Sequence, residues 1–155
     1  MRLNNIKKVF LASAALLSAM SMSAAERFVS FKQGDLLING NDKVEIYMDA
    51  NDCRGVSYAA NALVRDISKV SGSQATITSN RKATILVGTI GHSAAIDQLI
   101  KQKRINGNLL KGKREKFIIT LVDQQLVIAG SDRRGTIYGI YELSQQMCVS
   151  PWYDW

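Results

Sequence analysis

Short apolar strands alternate with amphipathic helices along this chain, and that alternation limits the folds it can form. Strand patterns and helix patterns follow one another in the order β-α-β-β-α-β-β-α, with predicted helices over residues 56–70, 93–103 and 136–147. Turn residues at 80–82 and 123–124 divide neighbouring strands into hairpin pairs. Hairpin pairs argue against an all-parallel doubly wound sheet. The predicted fold class is therefore α+β, a mixed β-sheet with about three helices packed on it.

Two details of the pattern indicate where the core lies. The run Ile85-Leu86-Val87 is continuously apolar, which is typical of a central strand covered on both faces. Gly72 follows the first helix at the position where a left-handed cap favours glycine. In the third helix, helical spacing predicts one buried face, made of Ile137, Ile140, Tyr141, Leu143, Ser144 and Met147.

The first 25 residues have the pattern of a secretory signal peptide. Arg2, Lys7 and Lys8 precede an apolar stretch over residues 9–20, and small residues at 23–25 suit cleavage after Ala25. A membrane span needs roughly 20 apolar residues, so the stretch is short for an anchor. We expect an exported protein, periplasmic or extracellular, with no stable membrane anchor. The predicted division is 1–25 signal peptide, 26–148 accessory domain and 149–155 the start of another domain.

The charge of the chain is positive and locally concentrated. Removal of the three basic residues of the signal lowers the net charge from +7 to +4. Much of the rest lies between Lys101 and Lys116, a run that predicts a solvated loop. No aromatic residue is interleaved with these charges, and the protein is expected outside the cytoplasm, so nucleic acid is not a predicted partner. A polyanionic polysaccharide would be weakly attracted by the same run.

Candidate residues for metal or thiol chemistry are few. His92 is the one histidine, and with no HExxH or paired CxxC spacing a metal site is not expected. His92 precedes the second helix, as a capping or solvent-facing residue. Cys53 and Cys148 flank the first and last helices, and two free, mostly buried thiols are expected, with a disulfide as the open alternative.

No catalytic constellation is visible in the sequence. The glycine turns at 88–91 and 130–135 match neither phosphate-loop pattern, and no G-x-S-x-G precedes a helix. Glycoside hydrolysis needs two carboxylates facing one sugar, whereas the acids here are scattered over turns and helices. Asp66 is predicted to be a helix-surface acid, and Asp132 is predicted to cap the last helix. No catalytic residue, metal ligand or cofactor is predicted.

The C-terminal segment carries the most specific motifs. IAGSDRRG at 128–135 is followed by TIYGIYELS at 136–144 and VSPWY at 149–153, with Trp155 two residues further. Together they resemble the junction between the N-terminal accessory domain and the catalytic barrel in xylan alpha-glucuronidases of glycoside hydrolase family 115. A looser glycine-tyrosine motif is similar to accessory domains of families 67 and 20. The chain departs from the family pattern at Cys148, where glycine is expected, and at Asp154, where an aromatic residue is expected.

The resemblance implies a structural role for the motif. Gly135 and Gly139 would let the helix start lie close against the sheet while aromatic residues fill the groove. The full set of motif residues is Gly130, Asp132, Gly135, Tyr138 and Gly139.

The resemblance also implies the partners of the domain. The parent enzyme would remove glucuronic acid or its 4-O-methyl ether from glucuronoxylan through a catalytic barrel that begins after this chain, so the fragment alone should be inactive. Trp152, Tyr153 and Trp155 would lie at the first barrel strand, either lining the sugar site or packing in a core. Two alternatives stay open: an independent carbohydrate- or protein-binding envelope module, and the accessory domain of another glycosidase family.

Overall fold

The computed structural model of the chain describes residues 27–29 and 43–150. Strands and helices alternate over the longer segment, and a short 3-10 turn, Gly107–Leu109, stands between α2 and β4. The strands and α-helices are β1 Lys43–Met48, α1 Arg54–Ser71, β2 Gln74–Thr78, β3 Ile85–Thr89, α2 Ala94–Lys101, β4 Phe117–Val122, β5 Gln125–Gly130 and α3 Arg133–Gln146.

The five strands form one mixed sheet in the order β2-β1-β3-β5-β4. Neighbouring strands are parallel except for β4, which pairs antiparallel with β5 across the predicted 123–124 hairpin. The sheet with its three helices confirms the predicted α+β class. The predicted hairpin across residues 80–82 is wrong, because β1 lies between β2 and β3 and pairs with both. The exposed pattern of β2 suits an edge, whereas every residue of β3 is buried and suits the centre.

Helices cover both faces of the sheet. On one face α1 and α3 pack against each other and against a core cluster that includes Val44, Ile85 and Ile128. On the other face α2 contributes Ala95 and Ile96 to a second cluster, which includes the strand residues Tyr47, Leu86, Val127 and Ala129. Successive strand residues enter opposite clusters because side chains alternate across a strand. This arrangement explains the continuous apolar run of β3.

The buried face of α3 differs from the predicted one. Tyr141 is 40% exposed, whereas Gly139 is buried. The predicted stripe included Tyr141 because it is apolar and suitably spaced. In the structure the small residues turn toward the sheet instead, since they allow the helix axis to approach closely. The buried residues of α3 are Gly135, Thr136, Gly139, Ile140, Leu143 and Ser144.

Two helices end with a left-handed residue that is not glycine. After α2, Lys103 has φ of +59°, and its N–H donates to the Ile100 carbonyl at 2.9 Å. After α3, Cys148 has φ of +63°, and the following N–H of Val149 donates to the Ser144 carbonyl at 3.0 Å. Both are Schellman endings, in which glycine is the favoured residue. The backbone at Cys148 thus favours the glycine that the resemblance leads us to expect there.

The N-terminal fragment 27–29 lies beside the end of α3. The Phe28 N–H donates to Gln146 Oε1 at 2.8 Å, and Phe28 and Val29 pack against the first core cluster. The rest of the predicted hairpin over 27–38, the predicted signal peptide and residues 151–155 lie outside the described residues.

Candidate functional site

The carboxyl ends of β1, β3 and β5 meet at one edge of the sheet, which is where an open α/β sheet holds its ligand. Polar residues follow all three strands at this edge. If the domain had chemistry of its own, this crevice is where the fold would place it. The relevant residues are Asp49, Asp52, Thr89, Ser93, Asp132 and Thr136.

The two carboxylates after β1 are occupied by backbone amides. Asp52 Oδ2 accepts from the Thr89 N–H at 2.7 Å, and its Oδ1 accepts from the Cys53 N–H at 2.7 Å. Asp49 Oδ2 accepts from the Ala94 N–H at 3.2 Å, next to the start of α2. These bonds join the loop after β1 to the end of β3 and to α2. The carboxylates therefore act as structural acceptors.

Asp132, which follows β5, also accepts hydrogen bonds from backbone N–H groups. Its Oδ1 accepts from the Gly135 N–H at 2.8 Å, which is the helix cap predicted from the sequence. Its Oδ2 accepts from the Glu115 N–H at 2.8 Å. The amide bonds from Glu115 and Gly135 hold the pKa of Asp132 below its ordinary value, because they stabilise the charged form.

A buried hydroxyl pair closes the centre of this edge. Thr89 Oγ1 and Thr136 Oγ1 lie 2.7 Å apart, and both residues are at most 1% exposed. Thr136 Oγ1 also donates toward the Asp132 carbonyl at 3.1 Å. The two buried hydroxyls between β3 and β5 therefore satisfy one another and the adjacent backbone.

The glycines of the motif are explained by close contact. A Cβ atom on Gly135 would clash with the carbonyl oxygen of Lys116, and one on Gly130 would clash with the backbone of Thr136. At Gly139 a Cβ would come within 2.8 Å of Ile128 Cγ2. Three separate approaches of α3 to the sheet therefore require glycine. The motif is a packing device that fixes α3 against β4 and β5.

Tyr138 does not fill a groove, contrary to the prediction. It is 39% exposed, and its hydroxyl accepts from Arg134 at 3.0 Å. The guanidinium of Arg134 also lies 5.9 Å from the ring centroid, and it forms an ion pair with Glu115 at 2.8 Å. Hydrogen bonding to Tyr138, together with the Glu115 charge, raises the pKa of Arg134.

The same arginine–tyrosine pairing recurs on α1. Arg54 Nε donates to the Tyr58 hydroxyl at 3.1 Å, with the guanidinium 5.5 Å from the ring centroid. Tyr58 is 63% exposed. The sequence reasoning missed both pairs, although the spacing of four residues on a helix was a visible signal.

The carboxylates with side-chain roles in this region accept hydrogen bonds from the protein itself. Asp66, predicted to face solvent, is half-buried and accepts from Ser144 Oγ at 2.7 Å. Of the two clefts described, one is lined by no acid and the other by Asp97 alone. Within residues 27–29 and 43–150 no group of three or more histidine, cysteine or acidic residues is placed to hold a metal ion.

The remaining candidate residues are His92, the two cysteines and three aromatic residues near the C-terminus. His92 is exposed, and the side chain that caps α2 is Ser93 instead. Both cysteines are free; Cys53 is half-buried, but Cys148 is exposed, so the expectation of two mostly buried thiols is wrong for Cys148. Its exposure follows from its place in the turn after α3. Trp152, Tyr153 and Trp155 lie outside the described residues.

Comparison with known proteins shows which family the chain belongs to. Residues 38–143 match the family model of the glycosyl hydrolase family 67 N-terminus. The chain belongs to this family of N-terminal domains. The match covers β1 to most of α3, so the carboxyl-end residues from Asp49 to Thr136 fall within the family 67 N-terminal domain.

Solved structures similar to this family 67 N-terminal domain include a family 115 enzyme. It is a 4-O-methyl-alpha-glucuronidase with specificity for decorated arabinogalactans, 37% identical, with a TM-score of 0.63 over 72% of this chain and 14% of that one. The family match and this similarity confirm the predicted identity as an N-terminal accessory domain of the glucuronidase type. The chain spans about a seventh of the length of that enzyme.

A more distant structure shares the fold. It is a family 84 glycoside hydrolase, 12% identical, with a TM-score of 0.54 over 70% of this chain and 18% of that one. A family 138 enzyme that targets pectin rhamnogalacturonan II is 18% identical, with a TM-score of 0.49 over 69% of this chain and 13% of that one. Among curated proteins none matches the chain.

No helix in the described segments is both long enough and apolar enough to cross a bilayer.

Proposed function

We propose that this chain is the exported, non-catalytic N-terminal domain of a glycoside hydrolase that removes glucuronic acid or its 4-O-methyl ether from a decorated plant polysaccharide such as glucuronoxylan. The observation that carries the proposal is the 37% identity to the 4-O-methyl-alpha-glucuronidase over 72% of this chain. The catalytic carboxylates belong to the barrel domain that follows such a domain in the parent enzyme. The domain acts as a folded support for that barrel.

The arrangement of carboxylates supports a non-catalytic role. Asp52 and Asp132 each accept two backbone N–H groups, and Asp66 accepts from Ser144. A general acid needs a carboxyl whose pKa is raised toward the working pH, whereas that of Asp132 is lowered. These groups stabilise the fold instead of facing a sugar.

The test compares the chain alone with the same chain joined to the polypeptide encoded after Trp155. Release of 4-O-methylglucuronic acid from glucuronoxylan oligosaccharides is measured for both. We expect none from the chain alone and turnover from the joined protein. Turnover by the chain alone would refute the non-catalytic role. A joined protein that releases a different sugar would refute the substrate.

Export is tested separately. Edman sequencing of the protein recovered outside the cytoplasm should begin at Glu26 if the signal is cleaved after Ala25. Recovery of a protein that retains Met1 in the membrane fraction would contradict cleavable export and favour an anchor.

A further inference from the structure

A cleft of about 490 Å³ is lined by residues of α2 and of the segment that follows it. Its apolar lining comes from Ile90, Ile100 and Ile105. Two lysines and two asparagines supply polar groups around this apolar lining. A concave site with an apolar floor and a few convergent polar groups is the usual form of a ligand site. The full lining is Ile90, Ile100, Lys103, Ile105, Asn106, Gly107, Asn108 and Lys111.

The cleft is positively charged. Lys103 and Lys111 form no ion pair with any acid in the part of the chain that the structure describes. The neighbouring Arg104, by contrast, pairs with Asp123, and Glu115 pairs with Arg134. Asp97, the acid nearest to Lys103 in sequence, accepts the Gly91 N–H at 2.9 Å and forms no ion pair in the described part of the chain. The two lysine ammonium groups remain available to an external anion.

Lys103 occupies a backbone position that favours glycine. Its φ is +59°, and the N–H of Arg104 donates to the Leu99 carbonyl at 2.9 Å, which completes the Schellman ending of α2. The Schellman ending fixes the backbone at Lys103, and the residue lines the cleft from that position.

We propose that this cleft binds a carboxylate-bearing sugar residue of an acidic polysaccharide. Lys103 and Lys111 would pair with the carboxylate, the amides of Asn106 and Asn108 would bond hydroxyl groups, and the isoleucines would contact the C–H face of the ring. The assignment to a polysaccharide rests on the proposed function, since the parent enzyme acts on a uronic-acid-decorated polymer. The cleft would hold that polymer away from the barrel.

Nucleic acid is the polyanion that the lining disfavours. Single strands are bound by stacking bases on aromatic side chains, and the cleft contains no aromatic residue. A uronic acid does not require an aromatic side chain to stack on, because ion pairing of its carboxylate supplies the attraction.

The experiment is isothermal titration calorimetry of the purified chain with glucuronoxylan oligosaccharides. The matched ligand is the same preparation after chemical reduction of its carboxyl groups to alcohols. The variant combines Lys103→Gly with Lys111→Gln, and the control combines Lys43→Gln with Lys82→Gln. Both proteins lose two positive charges, but the two control lysines are exposed residues outside the cleft lining. The variant keeps its fold, because glycine relieves the strain at position 103.

We expect binding of the acidic oligosaccharides that weakens as salt is added. We expect the cleft variant to bind about tenfold more weakly, which is about 1.4 kcal/mol, while the control binds as the parent chain does. Equal binding of the reduced oligosaccharides, equal loss in both variants, or preferential binding of a single-stranded oligonucleotide would each overturn the proposal. None of these outcomes depends on the sugar-release assay, so the proposed function stands or falls separately.

Discussion

The hydroxyl of Ser144 donates to the carboxylate of Asp66 at 2.7 Å and thereby joins α3 to α1. Ser144 is 3% exposed and Asp66 is half-buried, so water competes weakly for this bond. The two helices otherwise meet through apolar contacts, which fix distance better than register. One charge-assisted hydrogen bond between residues 78 positions apart sets how the helices align.

Ser144→Ala should therefore destabilise the domain. The change leaves the Asp66 carboxylate without its donor inside the helix pair, and we expect a loss of about 1–3 kcal/mol in the free energy of unfolding. Urea denaturation followed by circular dichroism measures it. Gln145→Ala, at an exposed position on the same helix, is the control and should change stability by less than about 0.5 kcal/mol. Equal effects of the two changes would contradict the role of the bond.

Asp132→Ala should remove both the cap of α3 and the acceptor for the Glu115 N–H. We expect a loss of about 1–2 kcal/mol, at the upper part of the range for helix caps. Asp132→Asn keeps a side-chain oxygen at the cap and should lose less. Thermal unfolding at neutral pH distinguishes the two, and a larger loss for the asparagine variant would argue against the cap.

Acid should weaken the domain through the same residue. The folded pKa of Asp132 is lowered, so the folded state binds fewer protons than the unfolded state. Its contribution is complete above the unfolded pKa of about 3.9 and is lost as pH falls through the lower folded value. Asp132→Asn should flatten this part of the stability curve below about pH 4. An unchanged acid limb in a urea titration series would show that other carboxylates dominate it.

Cys148→Gly should stabilise the domain. The cysteine has φ of +63° in the turn that ends α3, and glycine adopts that conformation without strain. Relief of about 1–2 kcal/mol of left-handed strain exceeds the roughly 0.5–1 kcal/mol entropic cost of glycine, so we expect a net gain of about 0.5–1 kcal/mol. Cys148→Ala is the control, because alanine keeps the strain while it removes the thiol. If alanine stabilises as much as glycine, the thiol and not the backbone is responsible.

Gly135→Ala should be among the most damaging single changes. Its methyl group would clash with the Lys116 carbonyl, and a backbone atom cannot move aside as a side chain can. We expect a loss of about 2–3 kcal/mol. Gly55→Ala is the matched control, since its methyl group would meet only the side chains of Ile137 and Arg133, at 3.3 and 3.4 Å. Differential scanning calorimetry should show a lowered Tm for the first variant and little change for the second.

The elements with strong local signals were predictable, and their partners were less so. Apolar spacing over residues 56–70 predicts a buried stripe that ends at Val70. The stripe is buried as far as Ile67, but Val70 is 39% exposed. The buried run of β3 is observed as predicted. The β2–β3 hairpin failed because turn residues at 80–82 mark a change of direction without saying which strand lies alongside. Here β1, from before α1, occupies the place between them.

The end of α2 shows a second limit. The predicted helix includes residue 103, whereas α2 ends at Lys101 and the chain leaves the helix at a left-handed lysine, Lys103. Lysine gives no local sign of that conformation. In the candidate site, the Asp132 cap could be predicted because it is local in sequence. The Asp66–Ser144 bond could not be predicted, because it depends on how α1 and α3 pack.

The first core cluster joins residues from the two ends of the segment 43–150. It includes Val44 from β1 and Met147 directly after α3, residues that leave the ribosome far apart in time. The strand β5 and the helix α3 are synthesised last. Until α3 is present, the apolar stripe of α1 lacks the helix that it packs against. The first core cluster is therefore complete only after the last helix has been made.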